Sequence, residues 1–235
     1  MKRAFPIAAL LTVLLLIYAL YQALVVAPTD QIQGNVYRII YYHVPSAWTA
    51  FVFFTVNFVA SVTYLFRRNV RADAVAVSAA EVGVVFCTVV LVTGPLWARP
   101  IWGIWWTWDV RLTSTLVLWL IYVSYLVLRR FSDSAQTPVL AAVLAVFGAL
   151  DMPLVYFSIW FFRTQHPQPV LGGGGSIDPR MLHVWLINWA AFQCFGLLVF
   201  WFRYRMEILQ RELDDAEKLI HIDSDDGFSA KEKFR

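Results

Sequence analysis

Charge is scarce in this sequence: Asp, Glu, Lys and Arg make up 15% of its 235 residues, and the formal net charge is +3. A chain so weakly charged lacks the basic face of a nucleic-acid binder, and its Lys and Arg residues are dispersed between apolar runs. Cysteine is scarce as well. Cys87 and Cys194 each stand alone inside an apolar segment, which excludes a CxxC redox or metal motif and leaves both as packing residues. No nucleotide-binding motif and no internal repeat is present. The only low-complexity stretch is Gly172 to Gly175, set among Pro167, Pro169 and Pro179 in an irregular loop.

What is abundant is apolar surface. Hydrophobic residues make up 60% of the chain and the mean hydropathy is +0.61, values that require lipid as solvent. A membrane span takes about 20 mostly apolar residues. Six runs qualify, at about 5 to 27, 47 to 66, 75 to 93, 112 to 128, 138 to 161 and 183 to 202. Unpaired backbone groups are costly in lipid, so each run is read as a helix. The fold class is therefore an all-α integral membrane protein, a six-helix bundle. Met1-Lys2-Arg3 before the first run resembles a signal peptide, but the run is too long and lacks a small-residue cleavage site, so it is read as a retained helix.

Six spans put both termini on one side. That side carries Lys2, Arg3, Arg67, Arg68, Arg71, Arg129, Arg130, Arg203, Arg205 and Arg211, against Arg38, Arg99, Arg111, Arg163 and Arg180 on the other. The excess places both termini in the cytoplasm. Residues 1–205 then form the membrane domain, with outward loops 28–46, 94–111 and 162–182. Residues 206–235 form a cytoplasmic charged tail, expected to be a short surface helix over Met206 to Leu219 with a disordered end.

The unusual chemistry lies in the outward loops. His43, in Tyr41-Tyr-His-Val-Pro-Ser-Ala-Trp48, and His183, in Asp178-Pro-Arg-Met-Leu-His-Val-Trp185, each stand at the mouth of a helix. Pro45 and Pro179 suit a first helical turn, so each His is expected at or just before a helix start. A single boundary histidine commonly bonds only backbone or lipid headgroups. Two at matched depth weaken that reading, since neutral imidazole is a good iron ligand and two on facing helices can bind a planar porphyrin from opposite sides. Between them runs Gly94 to Thr113, with Trp97, Trp102, Trp105, Trp106 and Trp108 closed by Asp109 and Arg111. An interfacial belt scatters its tryptophans. Five within twelve residues instead make a rigid apolar shelf for a flat macrocycle. Arginines pair bidentately with carboxylates such as haem propionates, and Arg38, Arg99, Arg111, Arg163 and Arg180 are the candidates on this side. Asp109 is read as orienting an arginine or an indole N–H.

Trp102-Gly-Ile-Trp-Trp-Thr-Trp-Asp109, followed by Val-Arg-Leu-Thr-Ser, resembles the "WWD" signature of the haem-handling proteins of cytochrome c biogenesis. With six spans and an outward His on each side, the chain is similar over nearly its whole length to CcmC, the haem exporter protein C family. The resemblance implies a protein of the bacterial inner membrane that collects haem b on the periplasmic side. His43 and His183 would be the iron ligands, and Trp102, Trp105, Trp106, Trp108, Asp109 and Arg111 the platform. It further implies transfer to a periplasmic haem chaperone, CcmE, with the ABC-type partners CcmA and CcmB and the small membrane protein CcmD, and no catalytic turnover. The Gly172 to Gly175 run departs from the family pattern and bears on the shape of the third loop.

Two other functional classes compete. A redox protein of the b-type cytochrome kind usually carries ligands at two depths, and here no second pair lies on the cytoplasmic half. A transmembrane haem transporter needs a polar route or repeat symmetry, and neither is visible. Glu81 and Asp151 lie inside spans and are functional candidates or paired structural residues. His166 shares the outward side in a Pro/Gly loop and His221 lies in the tail; neither is chosen as a ligand.

Overall fold

The computed structural model describes residues 4–132, 134–167 and 177–232. Six helices run through them: α1 Ala4–Tyr21, α2 Ile40–Arg67, α3 Val70–Trp102, α4 Val110–Phe131, α5 Thr137–Phe161 and α6 Pro179–Glu232. A π-helical turn, Gln22–Val26, extends α1, and a 3-10 turn, Asn35–Ile39, leads into α2. All six are long and apolar enough to cross a membrane. Lys2, Arg3, Pro169 and the Gly172 to Gly175 run lie outside the described residues.

Helix α2 is central, packed against α3, α5 and α6, while α1 lies on α6 and α4 bridges α3 and α5. The core forms where small residues let bulky rings through. Phe54 of α2 stacks on Tyr122 of α4 at 3.8 Å, in the space that the missing side chain of Gly83 leaves open on α3. On α6, a Cβ added at Gly196 would sit 2.6 Å from Phe53. Such close approach of small residues to neighbouring helices is the usual packing device in membranes. Outside this core, Ile7, Leu10, Leu11, Leu14 and Ile17 of α1 are exposed, as a face turned to lipid must be.

Three helix limits differ from the sequence expectation. Helix α2 begins at Ile40, so Pro45 is an interior residue and not part of a first turn. Its own carbonyl is used, accepting from Thr49 Oγ1 at 2.7 Å. Helix α3 runs through Pro95 and Pro100 to Trp102, which shortens the expected loop 94–111 to 103–109. It stops where Gly103 takes a positive φ of 78° and donates its N–H to the Arg99 carbonyl, a glycine cap. Helix α6 continues without a break through 206, where a separate tail helix and a disordered end were expected.

The reason for that last continuity is ionic. Arg203, Glu207 and Arg211 recur every fourth residue along one stripe of α6. Arg203 pairs with Glu81 of α3 at 2.5 and 2.7 Å, which gives Glu81 a structural partner. Arg211 bonds Asp73 of α3 and Glu207, each at 2.7 Å. Asp73 in turn accepts a bidentate pair of 2.7 Å bonds from Arg129 of α4. This cluster fastens α3, α4 and α6 at the end of the bundle opposite the tryptophan-rich loop. Of the two cysteines, Cys87 is buried as expected, but Cys194 is exposed on α6.

Candidate functional site at the mouth of the bundle

At the tryptophan-loop end, the 3-10 turn, α2, α3, α4, α5, Trp185 of α6 and the segment 162–167 enclose a cavity. Its floor is apolar, with Phe54, Cys87, Leu118 and Val155. Its upper wall holds His43, Trp97, Trp102, Trp106, Arg111 and His166. Counting along α2 from His43 to Phe54 at about 1.5 Å per residue, the cavity reaches roughly 16 Å into the bundle.

Both histidines of this wall are held in the same tautomer. His43 Nδ1 lies 2.8 Å from Thr93 Oγ1, and the Thr93 hydroxyl spends its single proton on the Val89 carbonyl at 2.7 Å. Thr93 can therefore only accept, so His43 carries its proton on Nδ1. His166 Nδ1 lies 3.0 Å from the Pro167 carbonyl, which is an acceptor only. It too is protonated on Nδ1. Each ring keeps Nε2 as a bare lone pair, and a ligating histidine commonly has its other nitrogen bonded in this way. His166 is neutral throughout the physiological range: burial first, then the Arg111 charge, push its pKa down to about 3, against a weaker opposing pull from the Pro167 bond. The His43 ring is near enough to depress it slightly further.

The same cavity lining also carries unused donors. Arg111 Nη1 and Trp106 Nε1 are buried with no hydrogen-bond partner among the described residues, a costly condition unless something accepts from them. The other four candidate arginines are elsewhere. Arg38 is engaged with the Ala23 carbonyl at 2.6 Å and with Asn35, Arg99 with the Gly103 carbonyl and Arg180 with Asp178, while Arg163 is exposed outside the cavity. A guanidinium, an indole N–H and two imidazoles lining one cavity with an apolar floor fit the chemistry of haem, which brings carboxylates, an apolar ring system and a metal that takes imidazole ligands.

Asp109 bonds neither an arginine nor an indole. It is the N-cap of α4, where Oδ1 accepts from Leu112 N at 2.9 Å. Its other oxygen accepts from Thr107 Oγ1 at 3.1 Å and from the Gln165 backbone N–H at 3.2 Å.

His183 does not reach the cavity. It is the fifth residue of α6, on an exposed stripe with Leu186 and Ala190, whereas Val184, Trp185 and Asn188 are buried. At about 100° per residue, His183 and the cavity-lining Trp185 point to nearly opposite sides. Trp105 and Trp108, 56% and 76% exposed, also face away, so only part of the tryptophan run forms a wall. Trp102 packs edge-on against Trp97 at 4.9 Å, and the Trp97 indole N–H donates to Gln33 at 2.8 Å. The histidine that the structure adds to the cavity lining, and that the sequence reading set aside, is His166. Its only visible signal was the shared outward side, since nothing in the sequence says which loop folds over the mouth.

The family model for "Heme exporter protein C", CcmC, matches residues 1–219. This chain belongs to the haem exporter protein C family. Among relatives of that name, it is 38% identical over 220 residues to the protein of Bradyrhizobium diazoefficiens, covering 92% of this chain and 83% of the relative. It is 38% identical over 168 residues to that of Escherichia coli K12, covering 71% and 67%. To that of Haemophilus influenzae it is 32% identical over 217 residues, covering 88% and 85%.

Proposed function

We propose that this protein holds haem b at the mouth of its bundle and hands it on, with His43 and His166 as the axial ligands and Arg111 and Trp106 facing the propionates. The observation that carries the reading is the pair of Nε2 lone pairs in one cavity with an unpaired guanidinium. His166 replaces His183 in this reading because His183 is turned out of the cavity. Trp102 forms part of the wall, Asp109 supports it, and Trp105 and Trp108 remain on the outer rim.

The two ligands differ in how they are held. His43 lies within α2 and is braced by Thr93 of α3, whereas His166 sits on an irregular segment beyond α5. Haem is cargo here, and exchange of ligands is the only chemistry required; no turnover is implied. The braced His43 retains the iron while the His166 side yields to an incoming ligand. The excess of Lys and Arg at the opposite end supports an inner-membrane protein with this mouth on the periplasmic side. The acceptor is then a periplasmic haem chaperone of the CcmE kind, and CcmA, CcmB and CcmD are the companions that family membership suggests.

The test is to purify the protein with His43→Ala, His166→Ala and His183→Ala variants, add haem, and record absorption spectra. Loss of the six-coordinate spectrum in the first two and its retention in the third is the expected result. Retention in His166→Ala together with loss in His183→Ala would restore the original ligand pair and sink this one.

A further inference from the structure

We propose that Asp109 is a positioning residue that latches His166 over the cavity, one carboxylate capping α4 while holding the third mouth segment in place. The proposal rests on the reading of His166 as a haem ligand. Residues 162–167 have no regular structure, and an untethered segment there would carry the imidazole through many orientations. Among the described residues, the hydrogen bond that ties residues 163–167 to another element runs from Gln165 N to Asp109 Oδ2 at 3.2 Å. The tie is one residue before His166, and the His166 ring is then fixed by its own bond to the Pro167 carbonyl. Asp109 is itself held by two further donors. Its Oδ1 accepts from Leu112 N and its Oδ2 also accepts from Thr107 Oγ1, so α4, the end of the tryptophan loop and the His166 segment meet on a single side chain.

The two functions of that carboxylate are separable. Asn caps a helix about as well as Asp, but an amide has one acceptor oxygen, and its nitrogen donates. Asp109→Asn therefore keeps the Leu112 bond and gives up the latch. Gln165→Pro attacks the same bond from the other end, by removing the backbone donor without touching the cap.

The experiment uses the full-length protein loaded with haem, comparing Asp109→Asn, Gln165→Pro and His166→Ala with the parent. Asp109→Asn and Gln165→Pro should each shift the spectrum toward that of His166→Ala. Their haem affinity should fall about 10-fold or more, the range for loss of a support to a metal ligand. Adding free imidazole should restore the six-coordinate spectrum, which repair of a merely structural defect would not do. Combining either change with His166→Ala should add nothing further. An unchanged spectrum in both latch variants, with His166→Ala altered, overturns the latch alone. An unchanged spectrum in His166→Ala overturns the ligand reading, and the latch with it. Should Asp109→Asn fail to fold, Gln165→Pro decides the matter by the same two readouts.

Discussion

Replacing Thr93 by Val tests the geometry at His43 most directly. Val matches Thr in shape but cannot accept a hydrogen bond, so the change leaves the His43 ring packed and removes the partner of its Nδ1–H, now 2.8 Å away. Two outcomes are open to the ring, and both cost haem affinity. If Nδ1 keeps its proton, a buried donor is unsatisfied, at about 1–3 kcal/mol. If the proton moves to Nε2, the atom facing the cavity can no longer bind iron until it moves back. Loss of such supporting bonds at metal sites costs about 10- to 100-fold in affinity, or roughly 1.4–2.8 kcal/mol at about 1.4 kcal/mol per decade, in agreement with the first figure. The assay is competition for haem between the protein and an apoprotein acceptor of known affinity. Thr93→Ser, which keeps the hydroxyl, should behave as the parent. A Thr93→Val protein whose affinity lies within about twofold of the parent would refute the tautomer argument, since the bond would then contribute far less than such supporting bonds do.

Arg111→Gln should lower the affinity for haem about 10-fold or more, given about 1.5–3 kcal/mol for hydrogen bonds to a charged group, and leave the affinity for haem dimethyl ester unchanged; an equal loss for both would argue against a propionate contact. Asp73→Asn leaves Arg129 and Arg211 facing each other without their carboxylate, whose side chain is only 5% exposed. The expected loss is about 3 kcal/mol, at the low end for a broken buried pair because Arg211 keeps Glu207, and thermal unfolding in detergent measures it. Asp178 accepts from the Arg180 side chain and backbone N–H, which holds its carboxyl down at about 2. With the folded value below the unfolded one, its contribution to the start of α6 is complete above about pH 4. It fades as pH falls toward 2, and Asp178→Asn should abolish that dependence in the hydrogen exchange of the first α6 turn.

The six spans were legible because crossing lipid demands length and apolarity together, and the runs that satisfy both are few. Their ends were not. Pro45, Pro95 and Pro100 mark boundaries in water, yet here they lie within α2 and α3, since helices that cross a membrane tolerate proline where packing and local adjustment satisfy the freed backbone groups. The join at 202–206 looked like a break because charge begins there. That charge faces α3, with Glu81 and Asp73 waiting for Arg203 and Arg211, so the residues that suggested an end are those that carry the helix on.

Depth and direction separate what was legible in the site from what was not. Hydropathy fixes how far along a helix a residue sits, and on depth alone His43 and His183 are equivalent. Only packing fixes which way a residue points, and a displacement of two positions, from Trp185 to His183, turns a side chain from the cavity to the outside. The tryptophan run divides in the same way: Trp102 and Trp106 face in, while Trp105 and Trp108 face out. His166 was hidden for a different reason. An irregular segment has no period from which direction can be read, and its position is set by a bond from its backbone to a carboxylate 56 residues earlier. Asp109 looked like a partner for charge because acidic residues near arginines usually are. It is instead committed on both oxygens to N–H and O–H donors of three segments, and Arg111 Nη1 is left buried with no hydrogen-bond partner among the described residues.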